Sequence, residues 1–290
     1  LMHFCLLFIF FLSCREKVIY EIPDFEIKPT INGIIYPDSL ICIHISLANG
    51  LEDKEIVPIE DANVILYSDE VLTDTLHHVG EGLFRSNTLA KHNKTYKCLV
   101  NINGYGQIAC STYIPKPDTL CCINHNENAG KDEEGVIYPS VTFTIKDIPD
   151  SCQYYEIHIR LLKRRNIKFA EIHHISDSIL LHEGISIALF SNEMIKNDEY
   201  CMTLNYTTNS TSSWGDGPLK MDLYPLVIEL RTVSYDYYQY AKQLLLYEKG
   251  RYPEFSMSSI IPVPLYSNVK NGYGIFAGYS AYFSDTIDIK

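Results

Sequence analysis

Cys14 stands directly behind the apolar run Phe4–Leu12 and the small residue Ser13. A thiol in that position reads as a lipoprotein signal, in which it takes up a lipid and a peptidase then cuts before it; the alternative is an ordinary secretory signal that happens to contain a cysteine. The nine apolar residues of the run are about half of the ~20 that a helix needs to cross a bilayer. Residues 1–13 therefore read as an export signal peptide, and 14–27 as a lipidated cysteine followed by a tether. Arg15-Glu16-Lys17 leave open whether the anchored chain faces the periplasm or the surface.

The other reactive side chains are scattered. Of nine cysteines, Cys5 and Cys14 belong to the N-terminal run, which leaves seven: Cys42, Cys98, Cys110, Cys121, Cys122, Cys152 and Cys201. An odd number at irregular spacing is not a disulfide framework. Cys42, Cys98 and Cys110 lie in strand-like runs, where a cysteine behaves as a small buried hydrophobe. His77-His78 and His173-His174 suggest a metal, but neighbours on a strand point to opposite faces. His158, His174 and His182 would have to converge from separate strands to make a centre. The sequence contains no His-Glu-x-x-His, Gly-x-Ser-x-Gly or phosphate loop. No metal, cofactor or catalytic residue is expected.

The elements that would position these groups are mostly strands. Leu40–Leu47 alternates with period two, placing Ile41, Ile43, Ile45 and Leu47 on one face. Asn63–Tyr67 and Gly82–Arg85 are shorter candidates. Tyr96–Ile102 and Gln107–Ile114 flank Asn103-Gly104, a hairpin signal because both residues tolerate positive φ. Pro115-Lys116-Pro117-Asp118 stops the pattern and marks a domain boundary. Beyond it, Val141–Ile145 alternates, and the next strand divides Tyr155, Ile157, Ile159 and Leu161 from Glu156, His158 and Arg160. Ile172–Ile175, Ile179–His182, Ile185–Phe190, Tyr200–Tyr206 and Leu226–Val233 also read as strands. One helix is expected near 235–249: Ser234 caps it, Tyr237, Tyr240, Ala241, Leu244 and Leu245 recur at helical spacing, and Gly250 ends it. Gly272–Gly278 superficially matches a dinucleotide loop but opens no helix, so close backbone packing explains its glycines better.

The predicted fold is mainly β: two antiparallel, immunoglobulin-like β-sandwich domains, 28–117 and 118–290, the second with one packed helix. At 46% hydrophobic residues the chain can bury such cores, and its 22 tyrosines favour strands. A formal charge of −12 repels nucleic acid and excludes it as a partner.

Three segments in this order resemble a Bacteroidota lipoprotein family known as domain of unknown function family 4249. They are Cys14 with the early strand Pro29-Thr30-Ile31-Asn32-Gly33, the helix Tyr235-Asp236-Tyr237-Tyr238-Gln239-Tyr240, and the terminal Asn271-Gly272-Tyr273-Gly274-Ile275-Phe276-Ala277-Gly278-Tyr279-Ser280. The resemblance implies a non-enzymatic outer-membrane lipoprotein that works beside a TonB-dependent transporter, with an unidentified ligand. It carries over no catalytic residue. A fimbrial or adhesive subunit is the alternative, and a metal-dependent hydrolase a third reading. Asp followed by Ser or Thr and an apolar residue resembles the O-glycosylation acceptor of these bacteria. It occurs at Ser39, Thr75, Thr119, Ser178 and Thr286, where composition alone gives roughly one match. Turn chemistry is the competing account of the same residues.

Overall fold

In the computed structural model, residues 26–48, 55–146, 148–163, 166–213, 217–251 and 265–289 are described. The first half contributes β1 (Pro29–Ile35), β2 (Leu40–Leu47), β3 (Val57–Pro58), β4 (Ala62–Ser68), β5 (Val71–Gly80), β6 (Leu83–Leu89), β7 (Lys94–Ile102) and β8 (Gly106–Ile114). There follow β9 (Thr119–Lys131), β10 (Ile137–Lys146), β11 (Tyr154–Lys163), β12 (Asn166–Phe169), β13 (Glu171–Ile172), helix α1 (Ser178–Glu183) and β14 (Leu189–Ser191). The remainder is β15 (Tyr200–Thr207), β16 (Thr211–Ser212), β17 (Lys220–Met221), β18 (Leu226–Val233), helix α2 (Tyr235–Arg251) and β19 (Tyr273–Phe283).

Two sheets result. The larger runs β12-β11-β18-β19-β1-β2-β6-β5-β4-β7-β8, and the smaller runs β13-β15-β10-β17-β16 with β9 on β10. The larger sheet folds over a first core, in which Ile31, Ile43 and Phe84 meet Leu66, Cys98 and Val100. Its far end packs on the smaller sheet around a second core, where Tyr155, Ile157 and Ile159 meet Phe143, Met202 and Tyr206. The architecture is mainly β and sandwich-like, as the period-two patterns predict, and a helix packs near the C-terminus. Full burial of an aliphatic or phenyl side chain contributes about 1.5–3 kcal/mol, so these alternating inward residues hold the layers together.

β19 joins the two halves. It pairs antiparallel with β18 and parallel with β1, with Ile31 opposite Gly274 and Gly33 opposite Phe276. Phe276 and Val269 are buried in the first core, although the chain reaches them only after completing the second. The glycine-rich segment makes this approach possible. Gly274 has φ +105°, and a Cβ there would lie 2.1 Å from the carbonyl oxygen of Ile31. A Cβ on Gly278 would lie 2.8 Å from the Tyr113 carbonyl oxygen.

Three local expectations are corrected, the first being that the strand expected over Ile172–Ile175 ends at Ile172. Ile179–His182 is helical: the Asp177 carboxylate accepts from the N–H groups of Ile179 and Leu180, and Gly184 closes the turn at φ +69°. An N-cap and an αL C-cap thus decide a segment whose short apolar run does not distinguish helix from strand. Strand structure in Ile185–Phe190 is confined to Leu189 onward. The expected helix does form, with Ser234 Oγ accepting from Tyr237 N, and it runs through Gly250 to Arg251.

Candidate functional site

The polar face of β11 carries Glu156, His158 and Arg160, the set that the alternation separates from the core residues. The antiparallel register sets Glu156 beside Arg231 and His158 beside Glu229 on β18. β19 extends the same face with Phe283 beside Glu229 and Tyr279 beside Val233. Two of these carboxylates are buried: Glu229 is 1% and Glu156 7% exposed. Charge at that depth survives only when paired and hydrogen-bonded.

Both are paired, Glu229 through both oxygens and Glu156 through Oε2. Glu229 accepts from Arg160 Nε at 2.6 Å and from Arg231 Nε at 2.7 Å. Glu156 Oε2 accepts from Tyr237 Oη of α2 at 2.7 Å and from Arg231 Nη1 at 3.1 Å. His158 Nε2 lies 2.9 Å from the same oxygen, in ion-pair range but off the hydrogen-bonding direction. Burial alone would raise the pKa of Glu156, but His158, Tyr237 and Arg231 outweigh it and hold the carboxyl below its usual range. Burial and the neighbouring Glu156 carboxylate push the Tyr237 hydroxyl up, so it remains a donor. Burial works against the Arg231 charge, and Tyr237, Glu156 and Glu229 more than restore it.

This network forms one wall of a cleft of about 490 Å³ between the halves. Tyr36, Pro37, Asp38 and His92 come from the first half, and Arg160, Glu229, Tyr279 and Phe283 from the second. Tyr36 and Tyr279 lie with centroids 5.4 Å apart. The Arg231 guanidinium sits 4.8 Å from the centroid of Tyr279, and that of Arg160 4.8 Å from Phe283. Glu229 occupies Arg160 through Nε, while its Nη groups donate to no partner among the described residues. An aromatic wall beside a fixed guanidinium fork suits a planar or ring-shaped group bearing an acceptor oxygen. A second cleft of about 550 Å³ adjoins the junction, lined by Asp118, Cys152, Tyr154 and Asp236. Asp118 is committed there, accepting from Tyr155 Oη at 2.5 Å and Gln153 Nε2 at 2.8 Å.

The family model for a domain of unknown function, DUF4249, matches residues 15–282. The chain belongs to the DUF4249 family. No curated protein matches it.

In this DUF4249 chain none of the sequence-predicted sites among the described residues lines the 490 Å³ cleft, although Ser39 borders it through Tyr36 and Asp38. Cys14 falls outside the described residues. Thr75, Thr119, Ser178 and Thr286 are exposed. Ser39 is half-buried and donates its hydroxyl to the Tyr36 carbonyl at 2.6 Å. Some of the neighbouring acids have structural roles. Asp74 accepts from the N–H groups of Thr75, Asn87 and Thr88, and Asp177 caps α1.

Cys98 and Cys110 are buried as expected, and Cys42 is partly buried. Cys122 sits at a bulge with φ +52°, where the register of β9 on β10 shifts. His173 and His174 depart from the divergence expected of strand neighbours, because they follow the short β13. Their rings are 4.2 Å apart and both pack on Tyr138. Among the described residues no group of three or more His, Cys, Asp or Glu is placed to hold a metal. Alternation sets apart the Glu156–Arg160 face but does not single out Glu229, Arg231 and Tyr279. Charges inside Leu226–Val233, an otherwise apolar strand, were the available clue.

Proposed function

We propose that this DUF4249 chain is a non-enzymatic lipoprotein of the outer membrane, anchored through Cys14, that binds beside a TonB-dependent transporter. The commitment of the junction charges carries the binding part of this reading. Glu229 spends both oxygens on Arg160 and Arg231, and Glu156 and Asp118 each hold two donors on one oxygen. Beside Asp38 and His92, the cleft presents an aromatic surface and the outer edge of Arg160, which suits binding.

The anchored form rests on the sequence signal, a cysteine at position 14 directly behind the apolar run Phe4–Leu12 and Ser13. No helix among the described residues is long and apolar enough to cross a membrane, and on this reading the lipid supplies the attachment. Metabolic labelling with a fatty-acid analogue, followed by membrane fractionation, tests it. Label and outer-membrane recovery that are both lost in Cys14→Ala are expected. An unlabelled wild-type chain in the soluble fraction would refute the anchor.

A further inference from the structure

Cys98 and Cys110 are direct cross-strand partners in the β7–β8 hairpin. Both are buried, at 0% and 3% exposure, on the face that looks into the first core. The backbone fixes what kind of pair they form. Ala109 gives its N–H to Lys270 and accepts the N–H of Lys270, so it turns both groups away from β7. The neighbouring pair Cys98–Cys110 is then a hydrogen-bonded one, with Cα atoms about 5.5 Å apart. That separation lies inside the disulfide range, and both Cβ atoms point to the same side of the hairpin.

We propose that Cys98 and Cys110 are a disulfide-forming pair, oxidised while the chain folds, which clamps the edge strand that receives the C-terminal segment. This inference rests on the exported location proposed above, since oxidising compartments are where such bonds persist. The oxidant belongs to the disulfide class, either oxidised glutathione or a thiol oxidase. The S–H bonds of Cys98 and Cys110 and the S–S bond of the oxidant break, and a protein S–S bond forms. Two electrons and two protons pass to the sulfurs of the oxidant, leaving it as two thiols. The Cys110 contact and burial together push the folded Cys98 thiol well up. Thiolate is then scarce in the finished core, so exchange precedes its closure.

β8 is a consequential strand to clamp. Asn268 Nδ2 donates to Ser111 O, Asn271 Nδ2 donates to Gln107 O, and Gly278 packs against Tyr113. These contacts dock the returning segment that β19 continues across both halves.

The test uses the full chain in detergent. It is reduced, unfolded, refolded with a glutathione couple, then alkylated under denaturing conditions without reductant and mapped as peptides. A single linked species containing Cys98 and Cys110 is the expected result. Complete alkylation of both, or pairing of either with Cys152 or Cys201, would overturn the proposal. Slower hydrogen exchange at Ala109 and Lys270 in the oxidised form, by about tenfold, is expected of a clamp; equal rates would overturn that role. The same mapping on chain alkylated during cell lysis separates the two readings. Linked after refolding but free in the cell keeps the pair and refutes the exported location.

Discussion

Replacing Glu229 by Gln removes the charge on which two arginines of the second half depend. The carboxylate is 1% exposed, and its oxygens stand 2.6 and 2.7 Å from Arg160 Nε and Arg231 Nε. Unit charges about 4 Å apart interact by roughly 4 kcal/mol at an effective dielectric constant of ~20. Two such pairs are not lost in full. Arg231 keeps Glu156 and Tyr237, and the Arg160 side chain, 27% exposed, can recruit water. Breaking one side of a buried pair typically costs 3–5 kcal/mol, and we expect about 3 kcal/mol here. For a chain of this size that lowers Tm by about 9 °C. Urea unfolding of the wild type, Glu229→Gln, Arg231→Met and the double variant measures it, and although the double change leaves Arg160 and Glu156 each short of a partner, it should cost less than the two single losses summed. A loss below about 1 kcal/mol in the single variant, typical of exposed ion pairs, would refute the buried network.

Gly274→Ala places a methyl against the Ile31 carbonyl and forces alanine to a φ near +105°, so a loss of at least about 3 kcal/mol is expected. Gly104→Ala is the control, with φ +85° and open space around it, and should cost only about 1 kcal/mol. Comparable losses in thermal melts would contradict the parallel β1–β19 approach. Glu156 has a folded pKa below its usual 4.5, so its contribution is present above that pH and disappears as pH falls through the lower folded value. Glu156→Gln should flatten the stability profile as pH falls below 4.5, and an unchanged acid limb in denaturation curves would count against the assignment. If the Asp-Ser/Thr sites are glycosylated, glycopeptide mapping should find sugar among exposed Thr75, Thr119, Ser178 and Thr286, with Ser39 bare because its hydroxyl is held by Tyr36. Occupancy at Ser39 alone would reverse that ranking.

Much of the fold was legible wherever one face of a strand is buried. Ile41, Ile43 and Ile45, and likewise Tyr155, Ile157 and Ile159, alternate in sequence and are at most 3% exposed. Asn103-Gly104 sits in the turn between β7 and β8, where Gly104 and Gly106, and not Asn103, take positive φ. The misses have physical causes. Ile179–Leu181 is too short for periodicity to separate helix from strand, and the cap on Asp177 decides it. β19 was read as a tightly packed glycine segment, because its parallel partner β1 lies more than two hundred residues earlier in the chain. The cleft was hidden for the same reason: Glu156, His158 and Arg160 look like an ordinary polar face until Tyr36 and His92 are brought over it. Cys98 and Cys110 are buried as their strand-like runs predict, but that they face each other across β7 and β8 depends on register, which number and spacing do not encode.

We propose that the lipid-anchored chain works beside a TonB-dependent transporter, and Arg160 at the rim of the junction cleft is the residue to probe for that contact. Crosslinked affinity purification from outer membranes, with quantitative mass spectrometry of wild type against Arg160→Glu, tests it most directly. A TonB-dependent transporter enriched with the wild type and depleted with the variant, at equal lipoprotein recovery, is the predicted result. Recovery of both proteins without any transporter would contradict the account.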